Sequence, residues 1–395
     1  MAIEQKIKEL AKKYFNQVVD IRRHLHQYPE LSFKEYETSK YIISLLNDWG
    51  IQYKSGIAEN GVVAIIEGKN PEKRCIALRA DIDALPVEEK NQIPYKSKNK
   101  GVMHACGHDA HTASLLGVIL ILNELRSEIE GTVKFIFQPA EELLPGGAKL
   151  MIDQGVLKNP EPEIVIGQHV YPELPAGKVG MKSGAYMAST DEIYMAIKGK
   201  GGHGAMPDKI NDTVLTASHI IVALQQISSR LAPAGTPTVL SFGKLIANGA
   251  TNVIPDEVYL EGTFRTMNED WRAKAHQKIN TIATGIAKSM GAEIEISIKK
   301  GYPVLINDEK ITLRAKKAAQ KFLGDTNVVD LDFRMTAEDF AYFSQLKPSV
   351  FYRLGTSPDE KECSPLHSAH FNINENALET GMGTMAYLAL HFLKD

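Results

Sequence analysis

Residues 75–86 read CIALRADIDALP, and the fold turns on this stretch. Cys75 to Asp81 form an apolar run that passes straight into the acids Asp81 and Asp83. Three further runs have the same character: VVAIIEG from Val62, VKFIFQP from Val133 and EIVIGQHV from Glu163. All read as strands, and residues 111–128 between them read as a helix. Apolar strands that alternate with helices imply an α/β fold, with a parallel or mixed sheet covered on both faces.

The middle of the chain follows another order. IYMAIKG from Ile193 is a strand, 211–230 a helix, TVLSFGKL from Thr238 and EVYLEGTFR from Glu257 strands, 269–290 a helix and AEIEISIKK from Ala292 a strand. This β-α-β-β-α-β order is a ferredoxin-like α+β unit. Helices return at 308–322, around 336–345 and at 376–394, with the strand VFYRLG from Val350 between the last two. The expected organisation is a discontinuous α/β domain, residues 1–183 and 302–395, interrupted by a smaller α+β domain, residues 184–301.

Composition narrows the function classes. The 395 residues are 44% hydrophobic and 24% charged, ample for a buried core. The net charge of -3 argues against nucleic acid as the main partner, since phosphate binding needs clustered positive charge. No apolar run reaches the roughly 20 residues that cross a bilayer. The first 25 residues are amphipathic and charged and lack the apolar core and cleavage site of a secretory signal. Three cysteines, Cys75, Cys106 and Cys363, make no disulfide framework and fit the reducing cytoplasm. Cys75 and Cys363 read as small buried hydrophobes.

In open α/β sheets, ligands bind beyond the carboxyl ends of the strands. There the chain presents Asp81 and Asp83, then Glu141 and Glu142, then His169. The loop MHACGHDAHTA, residues 103–113, precedes a helix, and SPLHSAHF brings His367 from far downstream. Singly, each has a plainer reading: a core histidine, an inert thiol, a solvated glutamate pair. Together they are thiolate, imidazole and carboxylate ligands converging on one sheet edge. Cys106 and His108, two apart in an extended loop, can point the same way, with Gly107 easing the approach of the backbone to an ion. Cys106, His108, Glu142, His169 and His367 are too many for one tetrahedral zinc with an open position, and suit two divalent ions. Of two adjacent glutamates, one can ligate while the other takes a proton from water, which supports hydrolysis. Asp83 can fix the tautomer of a ligating histidine. In the middle domain, GKGGHGAMPD sets His203 among glycines, either in a plain turn or as a donor to a developing oxyanion. Asn252 and Arg265 follow, and an arginine facing a cleft grips a carboxylate.

These motifs, with RRHLHQYPELSFKE from Arg22, FQPAEE from Phe137, NVIPDEV from Asn252, TAEDFAYF from Thr336 and PLHSAHFNINE from Pro365, span almost the whole chain. The chain resembles the aminoacylase and carboxypeptidase superfamily of two-metal amidohydrolases. It is most similar to the branch of hippurate hydrolase, N-acetyl-amino-acid deacetylases and indole-acetyl-amino-acid hydrolases. The resemblance implies a catalytic domain with an inserted lid that often makes the dimer interface. It implies metal ligands at Cys106, His108, Glu142, His169 and His367, Glu141 as general base, Asp83 as orienting acid and His203 as lid histidine. Asn252 and Arg265 match positions that hold the polar end of the substrate. Asp81 stands where the wider superfamily has a histidine, and Ala369 and His370 replace a common proline and basic residue. The expected activity is cytoplasmic hydrolysis of N-acyl-L-amino acids with zinc or manganese, or cobalt or nickel, in a homodimer or higher homo-oligomer. A carboxypeptidase or dipeptidase acting on short peptides, and a non-catalytic metal-stabilised binding protein, are the rivals.

Overall fold

The structure is a computed structural model that describes residues 2–358 and 364–394, so Cys363 lies outside the described residues. The chain forms two compact units.

The first unit takes residues up to Gly184, then Ile306–Asp332, then the chain from Asp339. Its frame is one mixed sheet of eight strands. In spatial order they are Gln52–Ile57, Gly61–Glu67, Thr132–Gln138, Cys75–Asp81, Ile164–Pro175, Ser349–Ser357, Val179–Met181 and Val328–Asp330. The four central strands, from Thr132–Gln138 to Ser349–Ser357, run parallel. Their side chains are buried on both faces, as the apolar runs require. Val62, Ala64, Ile76, Leu78, Val133 and Phe135 recur at every second position in one core, while Val63, Ala77 and Ile136 are buried on the opposite face.

Helices cover this sheet. In Ile3–Gln27 the buried Ile7, Ala11, Val18, Ile21 and Leu25 make an apolar stripe. His108–Glu124 is buried from His108 to Leu122, as expected of a helix apolar all round. It packs against Ile3–Gln27, Ala377–Lys394 and the Cys75–Asp81 strand. Gly117 permits that closeness, because a Cβ there would sit 2.7 Å from Met382 Sδ and 2.9 Å from Val18 Cγ2.

The second unit comprises Ala185–Leu305 and Phe333–Glu338. Its antiparallel sheet has the order Thr238–Ala247, Glu257–Thr266, Ser189–Lys198, Glu293–Lys300. Burial alternates strictly along Ser189–Lys198. Its inward Ile193, Met195 and Ile197 meet Ile220, Leu224, Ile279 and Ala283 of the helices Thr213–Leu224 and Glu269–Ser289. Asp212 and Asn268 cap those two helices through Leu215 N and Trp271 N.

Two elements differ from expectation. Only Ala341–Ser344 is helical in the stretch read as a helix around 336–345. There the Asp339 carboxylate accepts from Gln138 Nε2, Arg79 Nη2 and Ala148 N, so distant donors rather than a local helix hold the chain. The strand Gln52–Ile57 is mostly exposed at the sheet edge, so its sequence carries no apolar pattern.

Candidate metal centre

The parallel strands bring the site together by register. Asp81 pairs with Gln138, so the turn after Thr132–Gln138 delivers Glu141 and Glu142 beside Asp81 and Asp83. His169 lies one strand further across, opposite Arg353.

The thiol motif is built differently from an extended loop. Gly107 has φ 82° and caps the helix that starts at His108. A Cβ on Gly107 would lie 2.5 Å from Val170 Cγ2, so glycine is needed for both the left-handed turn and the space. That turn sets Cys106 and His108 on one side.

His108 Nδ1 is 2.9 Å from Asp83 O and 3.1 Å from Asp83 Oδ1, which makes it the donor and leaves Nε2 bare. His169 Nδ1 lies 2.8 Å from Val170 O, again leaving Nε2 for the site, where it sits 3.4 Å from Cys106 Sγ. Glu142 Oε1 is 3.9 Å from His108 Nε2 and 3.4 Å from His367 Nε2. His367 has φ 65°, and its N–H donates to Ala105 O at 2.8 Å.

The ligand atoms of Cys106, His108 and His169 lie within 4.8 Å of one another. So do those of Cys106, Glu142 and His367, and those of His108, Glu141 and Glu142. His108 Nε2 and Glu142 Oε1 are buried without a hydrogen-bond partner. A buried polar atom without a hydrogen bond is costly, and two of them 3.9 Å apart beside a thiol suit a shared cation. The electrostatics agree. Burial, then Glu142, pushes the Cys106 thiol up, while Cys106, then Glu142, raises His367 to about 10. Burial opposes charging at His108, yet Asp81 and Cys106 hold it well above the usual imidazole range. The cluster is thus rich in negative charge.

His111, the last histidine of the motif, is excluded from this set by its bonding. Its Nδ1 is 2.6 Å from Asp81 Oδ1, and its Nε2 accepts from Val170 N at 2.8 Å. Beneath them Arg79 donates to Gln138 Oε1 at 2.8 Å, Asp81 Oδ2 at 2.6 Å and Asp339 Oδ1 at 2.8 Å. Asp83 also accepts from Glu142 N at 3.0 Å and Ser32 Oγ at 2.7 Å, and Asp339 N donates to Glu141 Oε1 at 3.3 Å. Sequence reasoning passed over Arg79, His111 and Asp339. A charged residue inside a wholly apolar strand was the available signal for Arg79.

The remaining predicted residues lie in the second unit. His203 is exposed, pairs with Val253 and accepts from Ala205 N through Nδ1 at 3.1 Å. Asn252 is exposed and takes Gly204 N on its carbonyl at 2.9 Å. Arg265 is half-buried and donates to Met335 O at 3.2 Å. In the first unit His370 is exposed and joins none of the candidate ligand groups among the described residues.

The profile of peptidase family M20/M25/M40 matches residues 77–391. The chain is 41% identical to the N-acetyl-L-cysteine deacetylase of Bacillus subtilis, over 92% of this chain and 85% of that protein. It is 37% identical to thermostable carboxypeptidase 2 of Saccharolobus solfataricus, over 99% of each. Among solved structures, the Bacillus subtilis YXEP protein, described as a dinuclear metal-binding peptidase, superposes with a TM-score of 0.82. That likeness holds at 35% identity over 97% of this chain and 99% of that one. With this match of sequence, fold and clustered ligand types, the chain belongs to peptidase family M20/M25/M40 and is a hydrolase of amide bonds.

Proposed function

We propose that the protein hydrolyses N-acyl-L-amino acids to a carboxylic acid and a free amino acid, with two divalent ions, zinc or manganese, in its first unit. Cobalt and nickel fit the same mixed ligand set. The observation that carries this reading is the pair of buried, unpartnered atoms, His108 Nε2 and Glu142 Oε1, with Cys106, His169 and His367 around them. Those five residues would hold the ions, which would supply polarisation of the acyl carbonyl and acidification of water. Glu141 takes the proton from the attacking water and returns it to the leaving amine nitrogen. Asp83 keeps His108 in the Nδ1–H tautomer, with Nε2 free to ligate.

His203 accepts at Nδ1, so its Nε2 carries the proton and serves as donor to the oxyanion. Arg265, half-buried and without an acidic partner among the described residues, takes the substrate carboxylate, and Asn252 assists at that end. The second unit acts as lid and dimerisation domain. Its Thr238–Ala247 strand is a sheet edge carrying the exposed Leu245 and Ile246, a surface suited to pairing with a second copy. Among the described residues no helix is long and apolar enough to cross a membrane. The free thiols Cys75 and Cys106 suit a reducing compartment, and we place the protein in the cytoplasm.

Glu141→Gln tests the reading. We expect unchanged metal content, with kcat on N-acetyl amino acids down by about 10²–10⁴-fold. Full turnover in that variant would refute Glu141 as the base. A panel of dipeptides separates the carboxypeptidase alternative, which the relative in Saccharolobus solfataricus favours. Light scattering on the same preparation reads the dimer, and the mass of a single chain would refute it.

A further inference from the structure

We infer that Glu35 is a positioning residue for the Glu141–Glu142 pair, its buried carboxyl holding the left-handed turn at Ala140 from which both glutamates project. The inference rests on the roles proposed above for those two residues.

Glu35 is fully buried and contributes nothing to the surface. Its Oε1 accepts from Ala140 N at 2.8 Å, and its Oε2 accepts from Asn60 Nδ2 at 3.0 Å. Ala140 has φ 51°, a conformation that costs a residue with a Cβ and persists only where the surroundings impose it. Glu35 is one of those surroundings, and the Gly147 N–H on Ala140 O, at 2.9 Å, is another. Relaxation of Ala140 would swing the next two residues off the site.

The support for Glu35 is itself strained. Asn60 follows two left-handed residues, Ala58 at φ 49° and Glu59 at φ 71°, at the tip between the edge strand Gln52–Ile57 and its neighbour Gly61–Glu67. Phe33, at φ 64°, stands between Ser32, which donates to Asp83 Oδ2, and Glu35. Seven described residues other than glycine have positive φ, and two of them, Asn70 and Asn159, are asparagines that tolerate it. Of the other five, four frame the contacts of Glu35 and the fifth is His367. Strain gathered in this way marks a functional constraint more than a packing need. A core that needed only volume here would hold an apolar side chain, since burial of a carboxyl is costly.

Two variants of the full-length protein separate geometry from charge. Glu35→Gln keeps an acceptor for Ala140 N at full reach, with Asn60 turning its amide. Glu35→Asp keeps the charge but withdraws the carboxyl by one methylene. We expect E35Q to match the wild type. We expect E35D to lose at least tenfold in kcat on an N-acetyl amino acid with KM unchanged, to bind less metal per chain because Glu142 shares the displaced turn, and to exchange amide hydrogens faster in a peptide covering 138–144. Wild-type turnover in E35D, or equal loss in both variants, would overturn the inference. A wild type inert on every N-acyl substrate would sink the proposed function instead, and the exchange comparison would still decide the role of Glu35. Should E35D not fold, Asn60→Ala carries the same expectation, and unchanged exchange and kcat there would overturn it.

Discussion

Glu35 also has a pH signature. Burial, then Asp83, pushes its carboxyl up to about 7 from an ordinary 4.5. A raised acid holds its proton longer in the folded chain than in the unfolded one. Between pH 4.5 and 7 the unfolded state therefore sheds the proton first, and stability falls as pH rises. A shift of that size is on the order of 3 kcal/mol. Glu35→Gln removes this loss. Urea midpoints at pH 5 and pH 8 should fall further between the two for the wild type than for E35Q, with E35Q the more stable at pH 8. A wild type that keeps or gains stability relative to E35Q on going to pH 8 contradicts the assignment. The residue scale also shows why residue type alone is ambiguous. His108 and His111 stand three apart on one helix, yet His111 has both nitrogens engaged and His108 has one free.

At the scale of elements, the His108–Glu124 helix and its left-handed cap decide whether thiol and imidazole meet. Gly107→Ala adds a Cβ at φ 82° and 2.5 Å from Val170 Cγ2. Left-handed backbone costs about 1–2 kcal/mol for a residue with a Cβ, and overpacking typically adds about 1–3 kcal/mol. The variant should melt lower and, more tellingly, bind less metal per chain, as elemental analysis would read. Full metal content would show that the cap does not set the ligand geometry. The buried strands were legible because their apolar runs are local facts. The Gln52–Ile57 edge strand was not, because it buries little and shows no pattern.

For the whole molecule, each unit has its own hydrophobic core, so damage to one should be local. In the second unit Asp191 is fully buried and bonded to Arg272 Nε at 2.9 Å and to His276 Nε2 at 2.6 Å. Arg272→Leu strips the main countercharge, which typically costs about 3–5 kcal/mol. Hydrogen exchange should speed up across Ala185–Leu305 and leave the Cys75–Asp81 and Thr132–Gln138 strands protected. Equal acceleration throughout would mean that the two cores unfold as one.

The sequence by itself determined the α/β class, the β-α-β-β-α-β order of the middle segment and the ligand-type residues at the strand ends. Apolar periodicity and residue chemistry are properties of short stretches, so they survive without coordinates. Only the tertiary structure decided which nitrogen of each histidine is free, and that Glu35 reaches Ala140 across 105 positions and Arg79 reaches Asp339 across 260. It alone drew Phe333–Glu338 into the second unit. Hydrogen bonds between groups so far apart along the chain exist only once the strands between them are in register, and no local pattern encodes that.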